Sequence, residues 1–345
     1  VAERILKLVP NVQEFKTTLR FIKYWATVRG VYSNVLGYLG GVSWAILAAR
    51  ICQLYPYFTA SQLINRFFLI YPQWSWRRRP IMLCPVEQPP ANKVALAQFR
   101  VWDPKRNIHD RSHKMPILTP AFPSMNSTHN VTDTTMRVLQ EELSRGAGIV
   151  KEIEEGSKAW GDMVEPYDLF AGHKNFLQMD ILADSEQIFE RWSGWVESKL
   201  RLLIRKFEVI DGLEVRPSAR KYPYEDPRYD CSCAMFFGLD VSQKSVDLRP
   251  HIREFFDILH SWPEGQHYAD KFAFEMKHVI RQELPAWVKQ DPSEAADRRD
   301  VELSKLSQLR KRSLEATLPP EKRTKASNGS LEISVTLLNA KDIKK

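Results

Sequence analysis

The sequence predicts an α+β protein in two folded parts followed by a polar tail. Three observations carry this. Up to about residue 70, apolar residues recur at helical spacing and Tyr-Pro pairs punctuate the connections. From about residue 165 the pattern changes to strands alternating with helices. After about residue 290 few apolar residues remain and basic ones gather.

The elements follow in order. Pro10 and Asn11, with Glu14 three residues on, start a helix as a capping box, and Phe15, Leu19, Ile22 and Ala26 line one face to Arg29. A turn containing Gly37, Gly40 and Gly41 leads to a second helix, Val42 to Leu54, stopped by Tyr55-Pro56. A third runs from Thr59 to Ile70 and ends at Tyr71-Pro72. Residues 72–131 are proline-rich and hold no period; such a segment is functional or wrapped on a core. A helix resumes over Thr132–Glu155, capped by Thr132 or Asp133. FLQMDILA (176–183) then reads as a strand, and Asp184 with Gln187 as the cap of a helix carrying Ile188, Trp192, Trp195, Leu200, Leu203 and Phe207. VIDGLEVRP and CAMFFGLDV are further strands, with Cys233, Phe237, Leu239 and Val241 on one face of the latter. Pro250 to Trp262 is a helix with proline in its first turn, and KFAFEMKHV (271–279) a fourth strand. The order βαββαβ is the split-βαβ, ferredoxin-like arrangement that many RNA-binding modules share, which hints at function without proving it. The expected division is 1–160 helical, 161–290 ferredoxin-like, and 291–345 a basic, disordered tail.

The 345 residues carry a net charge of +8 and 43% hydrophobic content, enough for about two domains and for an anionic partner, nucleic acid or a membrane surface. The longest apolar run, Trp44 to Ala49, is cut by Arg50 and is too short to span a bilayer, so no membrane is expected. Four cysteines in a chain this long suggest a reducing compartment. The chain begins with Val and reads as helix at once, so the front of a larger protein is expected to be missing.

Metal chemistry finds little support. Cys231-Ser-Cys233 has no second cysteine pair, and core packing is the better reading; His109 and His113 sit four apart where a helix is doubtful. No Asp-x-Asp occurs to hold the metals of a nucleotidyl transferase, and Glu152-Ile-Glu154 lies on a charged helix face. The sequons at Asn126, Asn130 and Asn328 read as chance matches or structural turns. Leu303–Lys325 carries seven Lys/Arg against two Glu; Lys311-Arg312 and Lys322-Arg323-Thr324-Lys325 fit a bipartite nuclear import signal as well as a solvated charge run.

The turn VYSNVLGYLGGVSWAILAAR (31–50) is the candidate site. Lys23 and Arg29 lie on the helix before it, Tyr32 and Asn34 within it, and Gly41-Val42 open the next helix, whose free amides suit an anion. Periodicity alone favours a structural connection between helices over a nucleotide site.

LRFIKYWATVRGVYSNVLGYLGGVSWAILAARICQLYP, WSW at 74–76, VWDP at 101–104 and HKMPILTPAFPSMNSTHNV at 113–131 resemble the central domain of eukaryotic nuclear poly(A) polymerases. WVESKLRLLI at 195–204 and SVDLR at 245–249 resemble the family's RNA-binding domain, so the likeness covers roughly residues 1–290. It implies a polynucleotide adenylyltransferase of the nucleus that adds AMP from ATP to RNA 3′ ends. Mg²⁺ (or Mn²⁺) would be held by aspartates of a catalytic domain N-terminal to Val1, and 3′-end processing proteins would be partners. The family's ATP-contacting Lys, Tyr and Gly-Val fall on Lys23, Tyr32, Gly41 and Val42, and Asn34 matches a neighbouring position of that motif. Tyr38 stands where relatives often have Phe; WSWRRRP and VEQPPANKVALAQFR diverge, and no site is assigned there. No catalytic residue and no metal ligand falls in this chain, which is expected to be inactive alone. The alternative is a non-catalytic RNA-binding or scaffold protein built from the same two domains; an upstream Gly-Ser followed by Asp-x-Asp would distinguish them.

Overall fold

A computed structural model describes residues 1–86, 100–243 and 245–288, with the backbone of Leu338–Asn339. These residues gather into two compact units, Val1–Tyr167 and a second beginning at Asp168.

The first unit is helical: α1 (Ala2–Leu8), α2 (Val12–Val28), α3 (Gly41–Leu54), α4 (Ala60–Ile70), the single-turn α5 (Ile108–Arg111), α6 (Asp133–Glu154) and α7 (Trp160–Met163). Asn11 caps α2, its side chain accepting from the amides of Gln13 and Glu14. The capping box does not close, because Glu14 Oε2 accepts instead from the Ala60 amide at the start of α4 (2.5 Å). Glu14 thus joins two helices and meets the positive end of α4. The buried face of α2 is Phe15, Thr18, Ile22, Trp25 and Ala26. Trp25 sets the core, packing edge-on against Trp44 (5.8 Å between rings) and Phe68 (4.8 Å). Arg29 at the end of α2 is buried and bonded to Glu142 of α6 (2.8 Å) and to the Glu165 carbonyl.

The period-free segment is wrapped on this core. Ile81 and Ile117 bridge in parallel, and Leu118 and Asn126 antiparallel. Asn126 is buried, and its Oδ1 accepts from the Ile117 amide (3.0 Å) and the Thr128 amide (3.1 Å), so this sequon is a structural turn. His109 lies in α5, whereas His113 lies beyond it and accepts from Trp102 Nε1 (3.1 Å). Glu152 pairs with Lys158 and Glu154 accepts from Asn65, so the Glu-x-Glu pair is committed to local contacts.

The second unit runs α8 (Leu169–Gly172), β1 (Asn175–Ala183), α9 (Glu186–Phe207), β2 (Leu213–Pro223), β3 (Cys231–Val241), β4 (Ser245–Val246), α10 (Arg249–His260) and β5 (Phe272–Ile280). The main sheet is antiparallel with order β2-β3-β1-β5, the ferredoxin-like arrangement. The cap of α9 is Ser185, not Asp184, whose amide is tied to the Lys271 carbonyl at the end of β1. Helices cover one sheet face through Trp192 against Phe272 (4.6 Å) and Phe256 against Phe274 (5.5 Å). Cys233 is buried and desolvation pushes its thiol up to about 12, so it is an inert core group.

The other sheet face is also covered. Phe170 of α8 packs on Phe176, Tyr222 and Phe236 at 5.2 to 5.6 Å, and Trp287 stacks on Tyr224 at 5.0 Å. This is why β1 is buried at all nine positions. Gln178 and Asp180 share the side of Phe176 by strand alternation. Asp180 is satisfied by Gln178 Nε2 (2.7 Å) and Lys277 Nζ (3.1 Å), and burial raises its carboxyl above the usual range. The expected polar tail contributes one described piece: Leu338–Asn339 form β6 beside β4. The rest of the tail, with both basic clusters and Asn328, lies outside the described residues, as do residues 87–99.

Candidate functional site

The site is built from the end of α2, the turn 31–40 and the first turn of α3. Ile22 and Ala26 hold α2 in the core, which leaves Lys23 exposed. After Arg29 the chain folds back, with the Val31 amide donating to the Ala26 carbonyl (2.8 Å). Within the turn, Tyr38 donates to the Ser33 carbonyl (2.9 Å) and Tyr32 bridges Leu39. Val31, Leu36, Tyr38 and Leu39 are buried, so the turn is packed and presents only chosen residues to solvent.

Lys23, Tyr32 and Gly41 come together. The Lys23 ammonium is 5.7 Å from the centre of the Tyr32 ring, a cation–π distance. A Cβ added to Gly41 would meet Tyr32 Oη at 2.7 Å and Lys23 Nζ at 3.9 Å. Glycine at 41 therefore lets the tyrosine hydroxyl lie against the start of α3. The immediate reason for a glycine at this position is the approach of Tyr32. Gly40 caps α3 without a side-chain bond, so the helix-end amides carry no side-chain acceptor. Val42, in that first turn, is 46% exposed although apolar.

Asn34 is placed differently. Its Cβ lies 3.3 Å from where a Gly40 Cβ would stand, so it packs at the helix cap and not against the Lys23–Tyr32 pair. Its carbonyl accepts from Asn130 Nδ2 (3.1 Å). Gly37, at φ +95°, has the Asn130 carbonyl 2.8 Å from its Cβ direction, which excludes a side chain on both counts. Ser43 of α3 shares a hydrogen bond with Ser127 (2.9 Å). The stretch 126–135 is therefore the platform under the turn. By sequence, Asn126 and Asn130 read as chance sequons or structural turns; their support of the turn is signalled only by a run of Asn, Ser and Thr inside an apolar, proline-rich segment, where buried amides and hydroxyls must find backbone partners.

Among the described residues no three His, Cys, Asp or Glu side chains gather as a metal site. What the arrangement offers is a cation, a hydroxyl, free helix-end amides and an exposed aliphatic wall on one surface. A cation, a hydroxyl and helix-end amides are the kinds of group that can meet a phosphate.

Comparison with known proteins agrees. Residues 14–166 match the poly(A) polymerase central domain, and residues 168–231 the poly(A) polymerase predicted RNA binding domain. The chain is 42% identical over 297 residues to nuclear poly(A) polymerase 4 of Arabidopsis thaliana, 84% of this chain and 39% of that protein. It is 40% identical over 309 residues to the poly(A) polymerase of Dictyostelium discoideum, 85% of this chain and 37% of the relative. The chain belongs to the poly(A) polymerase family, and it spans less than half the length of these relatives.

Proposed function

We propose that this chain supplies the ATP-facing central domain and the RNA-binding domain of a polynucleotide adenylyltransferase that adds AMP from ATP to mRNA 3′ ends in the nucleus. The observation that carries it is the convergence of Lys23, Tyr32 and Gly41 at the open start of α3, in a chain of this family. Lys23 provides a point charge to phosphate, and Tyr32 a hydroxyl donor. Val42 offers an apolar wall to the base, and Asn34 an exposed amide at the rim. Mg²⁺ (or Mn²⁺) would neutralise charge on the attacking and leaving oxygens when bound. The family resemblance assigns such ions to aspartates of a catalytic domain outside residues 1–345. RNA 3′ ends and proteins of the 3′-end processing complex are the expected partners.

Primer extension tests this. The full-length product is expected to lengthen an oligo(A) primer with ATP and Mg²⁺. Residues 1–345 alone, which contain no Asp-x-Asp pair, are expected to leave it unextended. A full-length product that binds RNA but never extends it would favour the scaffold alternative. Extension by residues 1–345 alone would refute the assignment of catalysis elsewhere.

A further inference from the structure

The second unit holds an arginine without an anion. Arg201 lies on α9, on the flank that faces β2. Glu197, one turn earlier on the same flank, forms an ion pair with Lys221 of β2. The i−4 carboxylate that would ordinarily pair with Arg201 is therefore taken. One turn later stands Arg205, a like charge. Arg201 Nε is buried and finds no hydrogen-bond partner among the described residues. Burial and the Arg205 charge together lower the readiness of Arg201 to hold its proton. A like-charge pair at this spacing is mildly unfavourable, and a buried guanidinium nitrogen left unmade costs more. Beside it, β2 is the edge strand of the sheet, and its ladder to β3 breaks between Pro217 and Lys221. Ser218, Ala219 and Arg220 in that break are half-exposed.

We propose that Arg201 and Arg205, beside the break in edge strand β2, form a phosphate-binding site for single-stranded RNA. This rests on the RNA-binding role proposed above and names where contact is made. The sheet face gives an independent reason. Its aromatics Phe176, Tyr222 and Phe236 lie under Phe170, and Tyr224 lies under Trp287, so bases cannot stack there without removing these covers. Contact must then come from charge at the periphery, and Arg201–Arg205 is a place there where two cations stand together without a carboxylate partner among the described residues. A guanidinium matches two oxygens of one phosphodiester, and with Nε of Arg201 buried it is the terminal Nη donors that face a phosphate.

The test is a salt series of fluorescence anisotropy with labelled oligo(A) on the whole chain. Wild type is expected to bind with a negative slope of log K against log salt. R201Q/R205Q is expected to bind at least tenfold more weakly at low salt and to lose about 1.4 from that slope, at roughly 0.7 per phosphate contact on a single strand. R201K should keep the slope and lose part of the affinity, since charge survives without the fork. R191Q, which removes an exposed arginine paired with Glu264, should match wild type. Thermal unfolding keeps a folding defect apart: the double variant is expected to melt no lower than wild type, because it relieves repulsion and an unmet donor. A wild-type slope in R201Q/R205Q overturns this site while leaving the RNA reading intact. Absence of oligo(A) binding by wild type overturns both. Loss of polyglutamate binding with an unchanged RNA slope would assign the site to an acidic protein segment and overturn the proposal.

Discussion

The turn at 31–43 and the sheet of the second unit solve opposite problems. The turn buries Val31, Leu36, Tyr38 and Leu39 and leaves Asn34, Val35 and Val42 outside, with Lys23 exposed on the helix before it and 126–135 as a fixed platform beneath. The sheet has the surface that many ferredoxin-like RNA-binding modules use for stacking, yet here both of its faces are packed. A shared element order therefore does not transfer a binding face. In one region the sequence motif and the presented surface coincide; in the other, the aromatic residues of the sheet are core.

That contrast can be broken first at the buried ion pair where α2 enters the turn. Glu142→Ala leaves the Arg29 guanidinium buried without its carboxylate at the point where α2 enters the turn. Losing one partner of a buried pair costs roughly 3–5 kcal/mol, and urea unfolding of the chain should show a loss of that size. A change below 1 kcal/mol would mean that the turn does not depend on this anchor. On the sheet, Phe170→Ala removes the aromatic that touches Phe176, Tyr222 and Phe236, and should cost about 3 kcal/mol. The same variant should leave the salt slope of RNA binding unchanged. An increase in RNA affinity would show that the covered face binds once opened.

Smaller effects sharpen the account of the turn. Tyr32→Phe removes one neutral hydroxyl donor and should raise the apparent KM for ATP of the full-length enzyme about two- to tenfold, the equivalent of roughly 0.5–1.5 kcal/mol. The period-free segment wrapped on the first unit's core also has a mild acid sensitivity. His113 accepts from Trp102, and burial lowers its pKa below the ordinary 6.5. The neutral form is thus the folded form. Its contribution is complete at pH above the unfolded value and declines as pH falls below it. The urea midpoint should drop between pH 7.5 and about 5.5, and His113→Gln, which keeps an acceptor but does not titrate, should flatten part of that drop.

The helices, the strand order and the exposed position of Lys23 were legible in the sequence, because each rests on periodicity or on a neighbour within one turn. Asn11 reads as a cap and is one. Glu14 reads as the other half of the box and instead reaches the amide of Ala60, a contact 46 residues away that no local pattern contains. Asp184 has cap chemistry, but the strand end claims its backbone and Ser185 takes the position. The role of Asn34 shifted for a similar reason: its backbone is held by Asn130, which belongs to a segment with no period to read. Phe170 was missed because a four-residue helix gives too short a pattern to show a buried face. Arg201 looked like any solvated arginine, since what marks it is the absence of partners in three dimensions.

The central claim is that the Lys23–Tyr32–Gly41 surface faces ATP, and Lys23→Ala tests it most directly. Lys23 is exposed and lies off the buried face of α2, so the variant should fold with wild-type stability. A charge-assisted bond to phosphate contributes on the order of 1.5–3 kcal/mol, a ten- to hundredfold effect. In the full-length enzyme, ATP titrated at fixed oligo(A) should give an apparent KM raised by that factor, while the KM for oligo(A) stays within about twofold. Wild-type KM values for both substrates would contradict the account and leave the glycines as a turn between two helices.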